Sequence, residues 1–168
     1  NWWLILLLLS NLLWLNMPDR NGRIPIPTYD SVFFLQVAHN ILNFGELGWQ
    51  GYFEPFFYSL VTACFSPLTD EFLQAGTLVS KTSEFFLVIV VFLLGKEIYG
   101  KKAGLASAIL VSFMPHIYAI AITPQSESLY ALLITLSIYL LLLTYRRASF
   151  LFGISSGLSF AAAYLTRS

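Results

Sequence analysis

Three of the few acidic residues stand where a carboxylate can do chemistry. Asp30 lies in Thr28-Tyr-Asp-Ser-Val-Phe-Phe, Glu54 precedes Pro55, and Glu127 comes just after Thr123-Pro124. A carboxylate beside a membrane can take a proton from an incoming hydroxyl, because burial lifts its pKa toward a useful value. Carboxylates with water also suit a hard divalent cation such as Mg or Mn, for which Asp30 and Glu127 are the candidate ligands. Arg167 brings the opposite charge, and its guanidinium fits phosphate oxygens two at a time. Tyr29 and Tyr52 join Arg167 as candidate substrate-binding residues. Each charged residue also has a plainer reading. Asp is a favoured N-cap, Glu54 and Glu127 sit where a helix N-terminus steadies an anion, and an arginine at the end of a span can anchor it by snorkelling.

A membrane must position these residues. The chain is 57% hydrophobic, 17% aromatic and only 11% charged, with mean hydropathy +0.72, far from the balance of a soluble domain. Zero net charge and the absence of a basic tract leave nothing to recommend nucleic acid as a partner. A single cysteine, Cys64, rules out an internal disulfide and offers no metal pair. The start at Asn1 without methionine, and the stop just after an apolar run, are what a piece of a longer protein would show.

Apolar runs cover 2–15, 53–68, 72–94, 103–122, 125–144 and 148–165. A helix crossing the hydrocarbon core needs about 20 residues at about 1.5 Å each. The run 2–15 reads as a first span that has lost its start, with Trp2, Trp3 and Trp14 as interface anchors. The run 53–68 would reach only about 24 Å and is closed by Pro67, so it reads as a helix lying at the interface. Lys96, Lys101 and Lys102 follow one span, and Arg146 and Arg147 follow the next but one. The positive-inside rule puts both clusters on the cytoplasmic side. The segment 16–71 is then extracytoplasmic, Asp30, Glu54 and Glu127 share that face, and Arg167 breaks the charge pattern by arriving there too.

Within the outer loop, Phe34, Val37, Ala38, Ile41 and Leu42 make one apolar helical face. Asp30, four residues before Phe34, is expected on the buried side, and Asn43, Gly45 and Gly48 supply the stop. Two juxtamembrane helices, about 31–43 and 55–66, result. Inside the span 72–94, Lys81 and Glu84 are expected to pair or to face the bundle interior. His116 is expected to be a hydrogen-bonded core residue, Cys64 a packing residue, and His39 to lie on the polar side of its helix.

The segments Asp30-Ser-Val-Phe-Phe-Leu-Gln-Val-Ala, Gly51-Tyr-Phe-Glu-Pro-Phe-Phe-Tyr, Leu94-Gly-Lys-Glu-Ile-Tyr-Gly-Lys-Lys-Ala-Gly-Leu, Ser126-Glu-Ser-Leu-Tyr and Ala163-Tyr-Leu-Thr-Arg167 carry a resemblance. In order and spacing they resemble the N-terminal half of the protein-mannosyltransferase and aminoarabinose-transferase superfamily of membrane glycosyltransferases. The resemblance implies the GT-C fold, an all-α polytopic bundle with about five transmembrane helices in this chain. It also implies transfer of a sugar from a polyprenyl-phosphate donor to a hydroxyl of a protein, lipid or glycan at the extracytoplasmic face. The family's acid at the head of the first juxtamembrane helix corresponds to Asp30, the candidate base. Its second acid maps to Glu54, where Pro55 replaces the lysine of the aminoarabinose-transferase pattern, and a third maps to Glu127.

Soluble nucleotide-sugar enzymes fit poorly, since the chain has no Asp-x-Asp motif, no Gly-rich phosphate loop and no strand–helix alternation. A polytopic transporter is the rival from another class, although transporters gather charges near the midplane on broken helices. A non-catalytic lipid-binding or scaffold subunit is the third reading.

Overall fold

Apolar run length and glycine or proline punctuation dictate a succession of helices, and the computed structural model, which describes residues 2–16, 28–45 and 56–167, contains no strand among them. Helix α1 is Trp2–Leu15 and α2 is Tyr29–Phe44. Helix α3, Phe57–Phe65, runs into a 3-10 turn at Ser66–Leu68. Then come α4 (Phe72–Tyr99), α5 (Lys101–Ser112), α6 (Pro115–Ala121), α7 (Ser126–Arg147) and α8 (Phe150–Thr166). Helices α4 and α7 are each long and apolar enough to cross a membrane, and α5 with α6 makes a third span if the bent pair counts as one. Leu110, Phe150 and Leu151 are among the large apolar side chains left exposed, as lipid contact permits and water does not. The chain is an all-α bundle of an integral membrane protein.

Helix α4 is the axis of the bundle and packs against α1, α2, α3, α5, α6 and α7. At Gly100, φ 89° turns the chain back into α5. The hairpin closes tightly because Gly104 is bare: a Cβ there would lie 2.6 Å from the Phe92 carbonyl oxygen. Such small-residue contacts let helices approach in lipid, where no hydrophobic force drives them together. Helices α7 and α8 form a second hairpin through Ala148 at φ 47°. Ser137 and Ser156 bind it, each hydroxyl donating to the other's backbone carbonyl at 3.0 and 2.8 Å. Arg146 pairs with Glu97 at 3.1 Å, so the C-terminal ends of α4 and α7 lie together. With Lys96, Lys101, Lys102 and Arg147 they form a basic end.

Three local readings change. The stretch 103–122 is not one straight span, because α5 stops at Ser112 and α6 leaves at 61°. Pro115 has no N–H to donate, and it forces Met114 into extended backbone at ψ 116°. Helix α4 continues to Tyr99, beyond the expected 94, since Lys96 in its last turn complements the helix dipole and only Gly100 stops it. Of the two outcomes expected for Lys81 and Glu84, pairing does not occur, while Glu84 does face the interior: it is buried and accepts from Asn11 Nδ2 at 3.4 Å. Lys81 turns the other way and donates to Asn16 Oδ1, also at 3.4 Å.

Candidate functional site

Helix α2 begins at Tyr29 because Thr28, in extended backbone, caps it: Thr28 Oγ1 accepts from the Ser31 N–H at 3.3 Å. Asp30 is therefore free of the capping role, and stands in the first turn where the helix dipole favours an anion. The buried stripe runs through Ser31, Phe34, Val37 and Ala38. That rotation turns Asp30 to the flank, so it is exposed rather than on the buried side. Gly45 ends the helix at φ 70°, as a left-handed C-cap should.

Neutral polar groups tie this helix start to the rest of the bundle. Gln125, the N-cap residue of α7, donates its side-chain N–H to Thr28 Oγ1 at 3.3 Å. Its backbone N–H donates to Ser80 Oγ at 3.3 Å, and its carbonyl lies 3.2 Å from the same hydroxyl. Tyr58, fully buried on α3, donates to the Gly76 carbonyl at 2.9 Å and sits 3.0 Å from Ser80 Oγ. The ring of Phe34 meets that of Tyr58 edge-on at 5.3 Å. Glycine at 76 is required by the close approach, since a Cβ would lie 2.7 Å from Pro124 Cβ. This knot joins α2, α3, α4 and α7.

Glu127, half-buried, lies in the first turn of α7. Burial holds the Tyr58 phenol well above its ordinary pKa, and the Glu127 charge adds to the effect, so Tyr58 remains a donor. One turn beyond Glu127, Tyr130 carries the Arg167 guanidinium over its ring at 5.7 Å. A guanidinium held at a ring face in this way keeps N–H donors for an anion. Arg167 is exposed, and so is Tyr29. The structure thus gathers Asp30, Glu127 and Arg167 at the end of the bundle opposite the basic cluster. Glu54 and Tyr52 lie outside the described residues.

Among the described residues no group of three or more His, Cys, Asp or Glu side chains converges for a metal. Asp30 and Glu127 share this end with Asp70 and Glu71, which stand just before α4. On another side of α4, Asn16, Thr69, Thr77 and Lys81 help to line a mainly apolar groove of about 410 Å³. Its walls come from three separate elements, so no spacing in the sequence reveals it. Sequence reasoning also missed Thr28, Tyr58, Ser80 and Gln125; the glycine inside the apolar α4 was the one available signal of a close approach. His116 and Cys64 are exposed rather than packed in the core. His39 is exposed, as expected, with its ring 5.4 Å from Phe72. Trp2 and Trp3 are exposed, whereas Trp14 packs on Tyr118 at 5.1 Å and on Phe113 at 6.3 Å.

Residues 54–168 match the sequence profile of the family described as dolichyl-phosphate-mannose-protein mannosyltransferase. No curated protein and no solved structure matches the chain.

Proposed function

The chain belongs to the dolichyl-phosphate-mannose-protein mannosyltransferase family, and from that premise we propose a reaction for the end of the bundle where Asp30, Glu127 and Arg167 gather. The protein is a membrane glycosyltransferase of the mannosyltransferase type. In the proposed reaction a polyprenyl-phosphate sugar is the donor, and a hydroxyl of a protein, lipid or glycan is the acceptor. The acceptor oxygen bonds to the anomeric carbon as the bond from that carbon to the phosphate oxygen breaks. Asp30 takes the acceptor proton, while Arg167 holds the departing phosphate through charge-assisted hydrogen bonds.

The observation that carries this reading is the division of labour at the start of α2. Thr28 performs the capping and Gln125 the docking, which leaves the Asp30 carboxylate free to meet a hydroxyl. Glu127, within reach of Tyr58 electrostatically, is assigned to orienting the acceptor. Glu54, Tyr29 and Tyr52 complete the assignment on the family resemblance. A hard divalent cation, Mg or Mn, would engage the same Asp30 and Glu127 carboxylates in place of their base and orienting roles. The extracytoplasmic placement rests on the basic cluster at the opposite end.

The test uses the full-length protein in proteoliposomes with a polyprenyl-phosphate mannose donor. Asp30→Asn is expected to lower transfer by a factor of roughly 10²–10⁴ without changing the melting temperature. Arg167→Ala is expected to weaken donor use more than acceptor use. Near-normal transfer by Asp30→Asn would move the base elsewhere, and unchanged donor kinetics in Arg167→Ala would reduce that residue to an anchor.

A further inference from the structure

One carboxyl group has no part in the site above. Leu7 on α1, Val88 on α4 and Ala108 on α5 pack together with Phe92 in one apolar cluster. One helical turn toward the site end, the same three helices present Asn11, Glu84 and Ser112, four residues on or back in each case. All three are buried, at 0%, 2% and 2% exposure. The apolar layer is therefore followed by a polar one.

Hydrogen bonding in that layer is incomplete in a specific way. Asn11 Nδ2 donates to one Glu84 oxygen. The other Glu84 oxygen, the Asn11 carbonyl oxygen and the Ser112 hydroxyl are each buried without a partner. Two of these three are pure acceptors, so Glu84 and Asn11 between them are short of a donor; the buried indole N–H of Trp14, one turn on along α1, is also without a partner. Among the described residues no countercharge faces the layer either. Helix α1 carries no charged residue, and the lysines of α5 stand at its far end. Lys81 turns to Asn16, and the His116 of α6 is exposed. Of the α7 charges, Glu127 lies in the first turn, Arg146 pairs with Glu97, and Arg147 stacks over Phe152 at 5.8 Å. An unpaired carboxylate inside a membrane bundle is far costlier than a neutral carboxylic acid.

We infer that Glu84 is a proton-binding site in the membrane interior, where the protonated carboxyl and the Asn11 amide form a reciprocal pair that pins α1 to α4. A single proton leaves solvent and bonds to the second Glu84 oxygen. That O–H donates to the Asn11 carbonyl while the Asn11 N–H donates to the Glu84 carbonyl, so both orphaned acceptors are accounted for. The pair also sets register: a slip of α1 by one turn that carried Asn11 into the apolar layer would put Leu15 opposite Glu84.

The test uses the full-length protein in lipid nanodiscs. Infrared difference spectra of wild type against Glu84→Gln, at about pH 7, are expected to show a protonated-carboxyl C=O band on the wild-type side. Glu84→Gln supplies an N–H where the carboxylic O–H stood. It should keep transfer activity and melt within about 2 °C of wild type, whereas Glu84→Ala should melt about 5 °C or more lower. Carboxylate bands in place of the C=O band would overturn the proposal. So would a Glu84→Gln protein as unstable as Glu84→Ala, or sodium chloride that raises the melting temperature of wild type but not of Glu84→Gln, since the group would then be an anion holding a cation.

Discussion

The two ends of the bundle hold their helices together by different means. At the basic end, turn geometry at Gly100 and Ala148 and the bare contact at Gly104 do the joining. The charged Glu97 and Arg146 pair with each other, and Lys96, Lys101 and Lys102 are exposed. At the other end, uncharged groups join four helices: Thr28, Tyr58, Ser80 and Gln125 bond to one another and to backbone. Asp30 and Arg167 remain exposed there. In the proposed reaction this difference matters: neutral donors and acceptors carry the structure at the site end, so Asp30 and Arg167 are left for substrate, whereas Glu97 and Arg146 at the other end are taken up by their ion pair.

Substitutions at matched positions break or sharpen this contrast. The largest effect is expected at Gly76, where an added methyl would press on Pro124 and on Leu35 at 3.0 Å. Gly76→Ala should cost about 1–3 kcal/mol by overpacking and disorganise the knot, seen as a lower melting temperature together with lost transfer. If its stability and activity were both unchanged, the knot would not be what positions the site. Thr28→Ala comes next. Loss of the cap and of the bond from Gln125 should cost about 1 kcal/mol, with a drop in transfer far smaller than that of Asp30→Asn. A larger kinetic loss from Thr28→Ala than from Asp30→Asn would reverse the assigned roles. The smallest effect belongs to the basic end. Arg146→Gln removes an ion pair whose arginine is 44% exposed and should cost between about 0 and 1 kcal/mol, leaving transfer unaltered. A marked fall in transfer would show that the two ends are coupled.

The sequence by itself determined the all-α membrane bundle, because apolar composition and run length leave helices as the way to satisfy every backbone group in lipid. It also placed Phe34, Val37 and Ala38 on the buried stripe of α2, though not Leu42, which is exposed, together with the glycine that ends the helix and Glu127 in the first turn of α7, since these depend on 3.6-residue periodicity and on local punctuation. Family-like segments pointed to the transferase before any geometry did. Tertiary structure alone decided that Thr28 rather than Asp30 caps α2, that Glu84 faces Asn11 rather than Lys81, and that Trp14 packs inward. It also decided that the stretch 103–122 departs by 61° from a straight path. Each depends on what a neighbouring helix offers: Gln125 reaches Thr28 across 97 residues and Asn11 reaches Glu84 across 73. Side-chain types in a window fix which face of a helix is apolar, but the rotation and register of one helix against another are settled only when the helices pack.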